Sequence, residues 1–231
     1  VDWHLVALPV IQEQSEKDPL FLFKRWLSQM LILAPIPSLI SGESSGEDLL
    51  PDREVKNAGN WFAGLISNSP ASYATIEKYL KAILPDLWDI RNPIIAADSR
   101  SMQIQFRANE GSLILPFGDL SDGEKCFFIS SLVLAANESY GPIFCFWDEP
   151  DNYLSLDEVG HFILELRRTF FPAGQLLMTS HNAEAIERFS DENTIFLHRR
   201  NHLEPTQIRL ISELDLQTDI VEAIRQGGIE P

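Results

Sequence analysis

Three short stretches of this chain carry side chains whose types and spacing suit chemistry on a phosphorylated substrate. The first is Pro142–Pro150 (PIFCFWDEP), an apolar run that ends in two adjacent carboxylates, Asp148 and Glu149. If the run is a strand, Asp148 stands at its carboxyl edge and can hold Mg²⁺ directly or through water. Glu149, one residue on, can orient or deprotonate a water for attack on a phosphoryl group. An acidic turn closing an ordinary strand would produce the same string without chemistry. The second stretch is Leu120–Lys125 (LSDGEK). Ser121 with Glu124 three residues later spells a capping box, which explains the pair structurally. Gly123 adds a functional reading, because it lets a phosphate approach backbone N–H groups at the positive end of a helix. The third is Met178-Thr179-Ser180-His181, where a histidine closing an apolar run can hydrogen-bond a γ-phosphate or serve the structure alone.

Positioning these groups requires alternating strands and helices. Ser121 and Asp148 are 27 residues apart, room for one helix and one strand; Asp148 and His181 are 33 apart, room for another such unit. The pattern from Ser101 onward fits. Met102–Arg107 alternates apolar and polar, and Ser112–Leu115 follows the Asn109-Glu110-Gly111 turn as a hairpin. Helix Ser121–Asn137, run Ile143–Trp147, helix Leu156–Phe170, run Gln175–Met178, helix Ala183–Phe189 and strand Thr194–His198 succeed one another. Such alternation predicts an α/β fold, a mostly parallel sheet flanked by helices, with ligands bound beyond the carboxyl ends of its strands.

Residues 1–100 read as a mainly helical lobe, 101–212 as the α/β core and 213–231 as a closing helix, with its amphipathic part at Leu214–Gln226. In the lobe, Leu20–Leu33 and Val55–Ser67 show helical spacing. Ala71–Leu84 places Ile76, Tyr79, Leu80 and Ile83 on one face, with Ser69 and Pro70 as the expected cap and first position. A loop rich in Ser, Gly and acid, Ser41–Asp52, separates the first two.

The 231 residues include 34 acidic and 18 basic side chains, a net charge of −16. That surface repels phosphate backbones, so the chain alone is a poor non-specific nucleic-acid binder, although Arg188, Arg199, Arg200 and Arg209 gather late in the sequence. With 45% apolar residues, wholesale disorder is excluded. A chain of this size buries about 70% of its surface and needs no staple. The most apolar stretch, Trp26–Ile40, is interrupted by Pro35 and Pro37, so no membrane span is expected. Cys126 and Cys145 in apolar surroundings suggest buried thiols of a reducing, cytoplasmic compartment.

Over about Leu115 to Arg199 the sequence resembles the ATP-binding cassette ATPases: LSDGEK is similar to the signature motif, FCFWDEP to the Walker B strand, DNYLSLDE to the D-loop and MTSH to the switch-histidine strand. Within that superfamily it resembles the AAA ATPases of ABC type, the RecF-like branch near chromosome-maintenance proteins. Pro35-Ile36-Pro37 and Asn57–Leu65 resemble stretches such proteins carry before their helical lobe. The resemblance implies a P-loop NTPase that binds ATP and Mg²⁺ at sites completed by dimerisation. Ser121, Gly123 and Glu124 of the signature would face ATP held by a partner protomer. Asp148 would serve Mg²⁺, Glu149 would be the catalytic base and His181 would sense the γ-phosphate. Asp151 would join the signature residues in binding the nucleotide, and Asp151 to Leu154 would cross the interface of a homodimer or of paired ATPase halves. Asp122 replaces the commoner glycine, and NYLSLD replaces SALD in the D-loop.

The Walker A loop, GxxxxGK[ST], is absent from the sequence. Gly42–Asp48 is a superficial candidate with acid where lysine is needed. The expectation is therefore the C-terminal part of a longer or split ATPase, inactive by itself, with nucleic-acid binding open for the full-length protein. DNA repair, chromosome handling and antiviral defence are all compatible with the resemblance. Two rivals remain. A DExD-type helicase would share Asp148-Glu149-Pro150-Asp151 but needs no capped Ser-x-Gly-Glu helix and wants a more basic cleft. A non-catalytic interaction domain would retain the fold, yet an idle site has no electrostatic reason to keep two carboxylates side by side.

Overall fold

The computed structural model describes residues 8–109, 111–171, 173–190, 193–214 and 220–225. From the amino end the chain forms α1 (Pro19–Ser28), β1 (Leu31–Leu33), β2 (Glu43–Ser44), α2 (Ala58–Asn68), α3 (Ser72–Ile83) and β3 (Leu87–Arg91). Next come β4 (Ile94–Ala96), β5 (Ser99–Ser101), β6 (Gln103–Ala108), β7 (Gly111–Pro116) and α4 (Asp122–Tyr140). After β8 (Phe144–Trp147), α5 (Leu156–Phe170) and β9 (Gln175–Met178), the chain makes α6 (Ala183–Phe189), β10 (Ile195–His198), β11 (Gln207–Leu210) and α7 (Ile220–Arg225).

A parallel sheet of order β1-β8-β9 lies at the centre. Because side chains alternate along a strand, the register sorts its residues onto two faces. Leu31 and Leu33 of β1 line up with Cys145 and Trp147 of β8, and all four are buried. Phe162 of α5 closes this face, its ring edge-on to Trp147 at 5.7 Å. On the opposite face Trp26 of α1 meets Phe144. Beyond that contact the row Ile32–Phe146–Leu177 is only partly covered, Ile32 at 55% and Leu177 at 46% exposure. The parallel sheet thus carries helices on both faces, as α/β periodicity requires.

Among the described residues three antiparallel sheets accompany it: β2-β5-β4, β3-β6-β7 and β10-β11. The expected hairpin is present as β6 and β7, paired from Gln103↔Pro116 to Ala108↔Gly111; Glu110 of its turn lies outside the described residues. Helix α4 is the spine of the molecule. It is buried on every side from Lys125 to Asn137, which is why its sequence shows no apolar stripe. Phe128 meets Phe62 of α2 at 5.7 Å and Phe117 at 4.9 Å, and Ser72 of α3 shares a 2.6 Å hydrogen bond with Ser139. A single hydrophobic cluster runs from Leu31 to Ala185.

Two local readings change. Leu31–Leu33, read as the end of a helix, is a strand, because α1 stops at Ser28 and the apolar Leu-Ile-Leu finds its partner in β8. Ser69 caps the carboxyl end of α2, its N–H donating to the Leu65 carbonyl, and α3 starts from Ala71 instead. Among the described residues up to Ser101 lie three α-helices and the short strands β1 to β5. The expected closing helix Leu214–Gln226 lies partly outside the described residues, which show it helical over Ile220–Arg225. Cys126 and Cys145 are free and buried, and burial pushes both thiols up to about 12. No described helix is long and apolar enough to cross a membrane.

Phe162 is fully buried against the Walker B strand candidate. Phe162→Ala is expected to cost about 3–5 kcal/mol of stability in urea unfolding; a loss below about 1 kcal/mol would contradict its place in the core.

Candidate active site at the exits of β8 and β9

The pairing of β8 with its two neighbours, β1 and β9, continues one residue past the strands. Asp148 N–H donates to the Leu33 carbonyl at 2.8 Å, and Thr179 N–H to the Trp147 carbonyl at 3.1 Å. The ladder therefore delivers Asp148 and Thr179 to the same carboxyl edge, and the next residues turn away into loops. Thr179 Oγ1 donates to Asp148 Oδ1 at 2.6 Å and accepts the Glu149 N–H at 3.0 Å. Glu149 adopts φ 47°, the left-handed region that a non-glycine residue enters at a cost on the order of 1–3 kcal/mol. That conformation swings its carboxylate toward the β9 exit. Glu149 Oε1 lies 3.1 Å from His181 Nε2, and Oε2 accepts from the Asn152 amide. His181 is 89% exposed at its side chain and free to face an incoming group.

A second link lies deeper. Ser180 Oγ donates to Asp151 Oδ2 at 2.8 Å and accepts the Asn182 N–H at 3.0 Å. Asp151 is 2% exposed, and its Oδ1 has no hydrogen-bond partner. Burial holds its carboxyl above the ordinary 3.8, opposed by the Ser180 hydrogen bond. Asp151 thus anchors the turn after Glu149 to the β9 exit from inside the protein.

Ser121, Gly123 and Glu124 form the amino end of α4. Glu124 N–H donates to Ser121 Oγ at 3.3 Å, while Ser121 N–H and Oγ each donate to Glu124 Oε2 at 2.7 Å, a complete capping box. No hydrogen bond among the described residues links this cap to Asp148, Glu149 or His181. The approach is made by Gly123: a Cβ there would stand 3.1 Å from the Tyr153 carbonyl, in the turn that follows Glu149. Asp148, Glu149, Asp151 and His181 are thereby brought together, with the α4 mouth alongside the turn that follows Glu149. Thr179 and Ser180, to which their motif gives no role, join them as polar partners, as does Asn152, expected only within the interface stretch Asp151 to Leu154. Their signal was the parallel register, which sets Thr179 opposite Asp148.

The described residues hold no cluster of three metal-ligating side chains. A Mg²⁺ ion bound mainly by phosphates and water needs only one or two carboxylates. Asp148 fits that requirement, since among the described residues Oδ2 makes no hydrogen bond while Oδ1 is held by Thr179. The loop Ser41–Asp52 does not fit a phosphate cradle. Its amides are spent internally: Glu43 N–H on Ser41 Oγ, Ser45 N–H on Asn60 Oδ1 and Asp48 N–H on the Asn60 carbonyl. A cleft of about 450 Å³ beside this loop, lined by Ser44, Asn57, Asn60, Lys56 and Arg100 among others, shares no residue with the carboxylate cluster.

A parallel sheet between helices is an α/β architecture, and it resembles the P-loop NTPase fold of SMC ATPase heads. The chain belongs to the family described as "AAA domain, putative AbiEii toxin, Type IV TA system", whose model matches residues 9–187. Among solved structures it is similar to one from work on ATP-driven dimerization and DNA stimulated activation of SMC ATPases, with TM-score 0.54 and 12% identity over 72% of this chain and 96% of that one. It is also similar to the Smc head domain with a coiled coil and joint from Pyrococcus yayanosii, with TM-score 0.52 and 14% identity. That match covers 77% of this chain and 32% of the head structure, so this chain spans about a third of that protein. A comparison with curated proteins returns no match.

The buried Asp151 generates a pH prediction. Its folded pKa is raised, so the stability it contributes is greatest below 3.8 and is lost as pH rises through the folded value. The stability of wild type relative to Asp151→Asn should therefore fall as pH increases from about 3 toward neutrality. Parallel denaturant midpoints at every pH would contradict it.

Proposed function

We propose that this chain is the C-terminal part of a cytoplasmic, RecF-like ABC-type ATPase, contributing the signature helix, the acidic strand exit and the switch histidine to ATP sites formed on dimerisation. The observation that carries this reading is the single cluster of Asp148, Glu149, Thr179 and His181 at neighbouring strand exits. Asp148 is assigned to Mg²⁺, which when bound would neutralise charge on the phosphates. Glu149 takes a proton from water as the water oxygen bonds the γ-phosphorus; the bond to the bridging oxygen breaks, releasing ADP and phosphate. His181, exposed beside Glu149, is assigned to a γ-phosphate oxygen. Asp151 holds the turn from which Asn152, Tyr153 and Leu154 reach toward a partner.

The reading needs a Walker A loop, and two features support a place for it. Strand β9 is an outer strand of the parallel sheet, and β10, which follows through α6, pairs only with β11 among the described residues. Both expose apolar residues: Leu177 on β9, Ile195 and Leu197 on β10. A parallel strand lying along β9, followed by a helix over Ile32, Phe146 and Leu177, would bury them. We assign the Walker A strand and helix to that position, supplied by a segment outside this sequence. Ser121 and Gly123 would then serve ATP held by the other protomer; the similar SMC ATPases are described as undergoing ATP-driven dimerization. With a charge of −16, this portion is not assigned nucleic-acid contacts, which would fall to other parts of a full-length protein.

In the full-length protein, Glu149→Gln should lower ATP turnover by about 10²–10⁴-fold while leaving ATP-driven dimers detectable by light scattering; undiminished turnover would refute the base assignment. Ser121→Arg should abolish ATP-dependent dimerisation, and an unchanged dimer fraction would remove the composite site. The 231-residue chain alone should show no turnover above the Glu149→Gln background.

A further inference from the structure

Two hydroxyls leave β9 side by side, and they do different things. Ser180 ties the turn after Glu149 to the interior through Asp151. Thr179 touches the two carboxylate-bearing residues themselves. A threonine hydroxyl has one proton to give and lone pairs to receive. Here the proton goes to Asp148 Oδ1 at 2.6 Å, and a lone pair takes the Glu149 N–H at 3.0 Å. One oxygen atom thus spans two consecutive residues whose side chains diverge.

Each half of that bridge has a consequence. The bond to Asp148 is charge-assisted, and such bonds are short and roughly twice as strong as neutral ones. It occupies Oδ1 and fixes the carboxylate plane, leaving Oδ2 as the oxygen without a hydrogen bond. The bond from Glu149 N–H compensates a backbone held at φ 47°. Among the described residues Glu149 has no other tether on its main-chain nitrogen, so losing the acceptor would let the peptide relax toward ordinary φ and carry the carboxylate away from His181. Thr179 itself is placed by β-sheet pairing, through its N–H to the Trp147 carbonyl. Its β-branched side chain is stiff at χ1, so the hydroxyl has little freedom to leave.

We infer that Thr179 is a positioning residue of the candidate site, its single hydroxyl setting the orientation of the Asp148 carboxylate and the backbone of Glu149 together. This rests on the ATPase reading above. It makes the β9 exit part of the catalytic geometry through two residues, Thr179 for the carboxylates and His181 for the substrate. Valine at 179 keeps the shape and removes both bonds; serine keeps the hydroxyl and removes only the methyl.

The test is steady-state ATP turnover of the full-length protein carrying Thr179→Val, Thr179→Ser or Glu149→Gln, with thermal unfolding of each. Thr179→Val should lower kcat about 10- to 100-fold with KM within about threefold of wild type. Thr179→Ser should restore kcat to within about threefold. The inference is overturned if Thr179→Val keeps wild-type kcat, or if Thr179→Ser is as impaired as Thr179→Val while melting normally. Should Thr179→Val not fold, Thr179→Ser against Thr179→Ala decides the matter by the same criterion. Glu149→Gln separates the two levels: if it abolishes turnover while Thr179→Val does not reduce it, the site stands and the role of Thr179 falls; if Glu149→Gln turns over ATP like wild type, the base assignment falls, and if wild type shows no turnover, the ATPase reading itself falls.

Discussion

The parallel pairing of β8 with β9 is the constraint on which the rest of the molecule depends. Each strand is four residues long, and neither has a functional side chain within it. What they supply is register. Trp147 opposite Met178 makes the following residues, Asp148 and Thr179, neighbours, and a slip of one position would turn every side chain to the other face. The slip is opposed by burial of Cys145 and Trp147 on the face closed by α5. Core packing on one side of the sheet thereby decides which polar groups meet at its end.

Helix α4 plays the complementary part. Its whole middle is buried, so its position is set by aromatic contacts with α2 and by the polar seam with α3. Both its ends emerge, and the amino end is closed by the Ser121–Glu124 box. Gly123 allows that end to lie against the turn after Glu149, where any side chain would press on the Tyr153 carbonyl. The capping chemistry and the phosphate-binding chemistry proposed for the motif use the same groups. A helix mouth held this firmly arrives preorganised at whatever surface it meets.

Much of the second half was legible because local signals agreed. The bounds of α5, β9 and α6 coincide with those read from periodicity and capping residues, and Asp148 falls immediately after its strand. The first half was harder for a physical reason. Leu31-Ile32-Leu33 is too short to show a period, and its partner Cys145–Trp147 lies more than a hundred residues away. Strands β3 to β5 are short and partly exposed, so their alternation is faint. In the site, charged and imidazole groups announced themselves by type. Thr179, Ser180 and Asn152 did not, since a hydroxyl or amide has a role only once geometry assigns its partners.

The central claim is that Asp148, Glu149 and His181 serve one nucleotide. A structure of the full-length protein with Mg²⁺ and a non-hydrolysable ATP analogue addresses it most directly. The account predicts the γ-phosphate between Glu149 and His181, the metal on the Asp148 side, and a partner protomer's Ser121–Gly123 against the same phosphate. A nucleotide bound elsewhere, in the cleft beside Ser44 and Arg100 for example, with the β8 and β9 exits untouched, would contradict it.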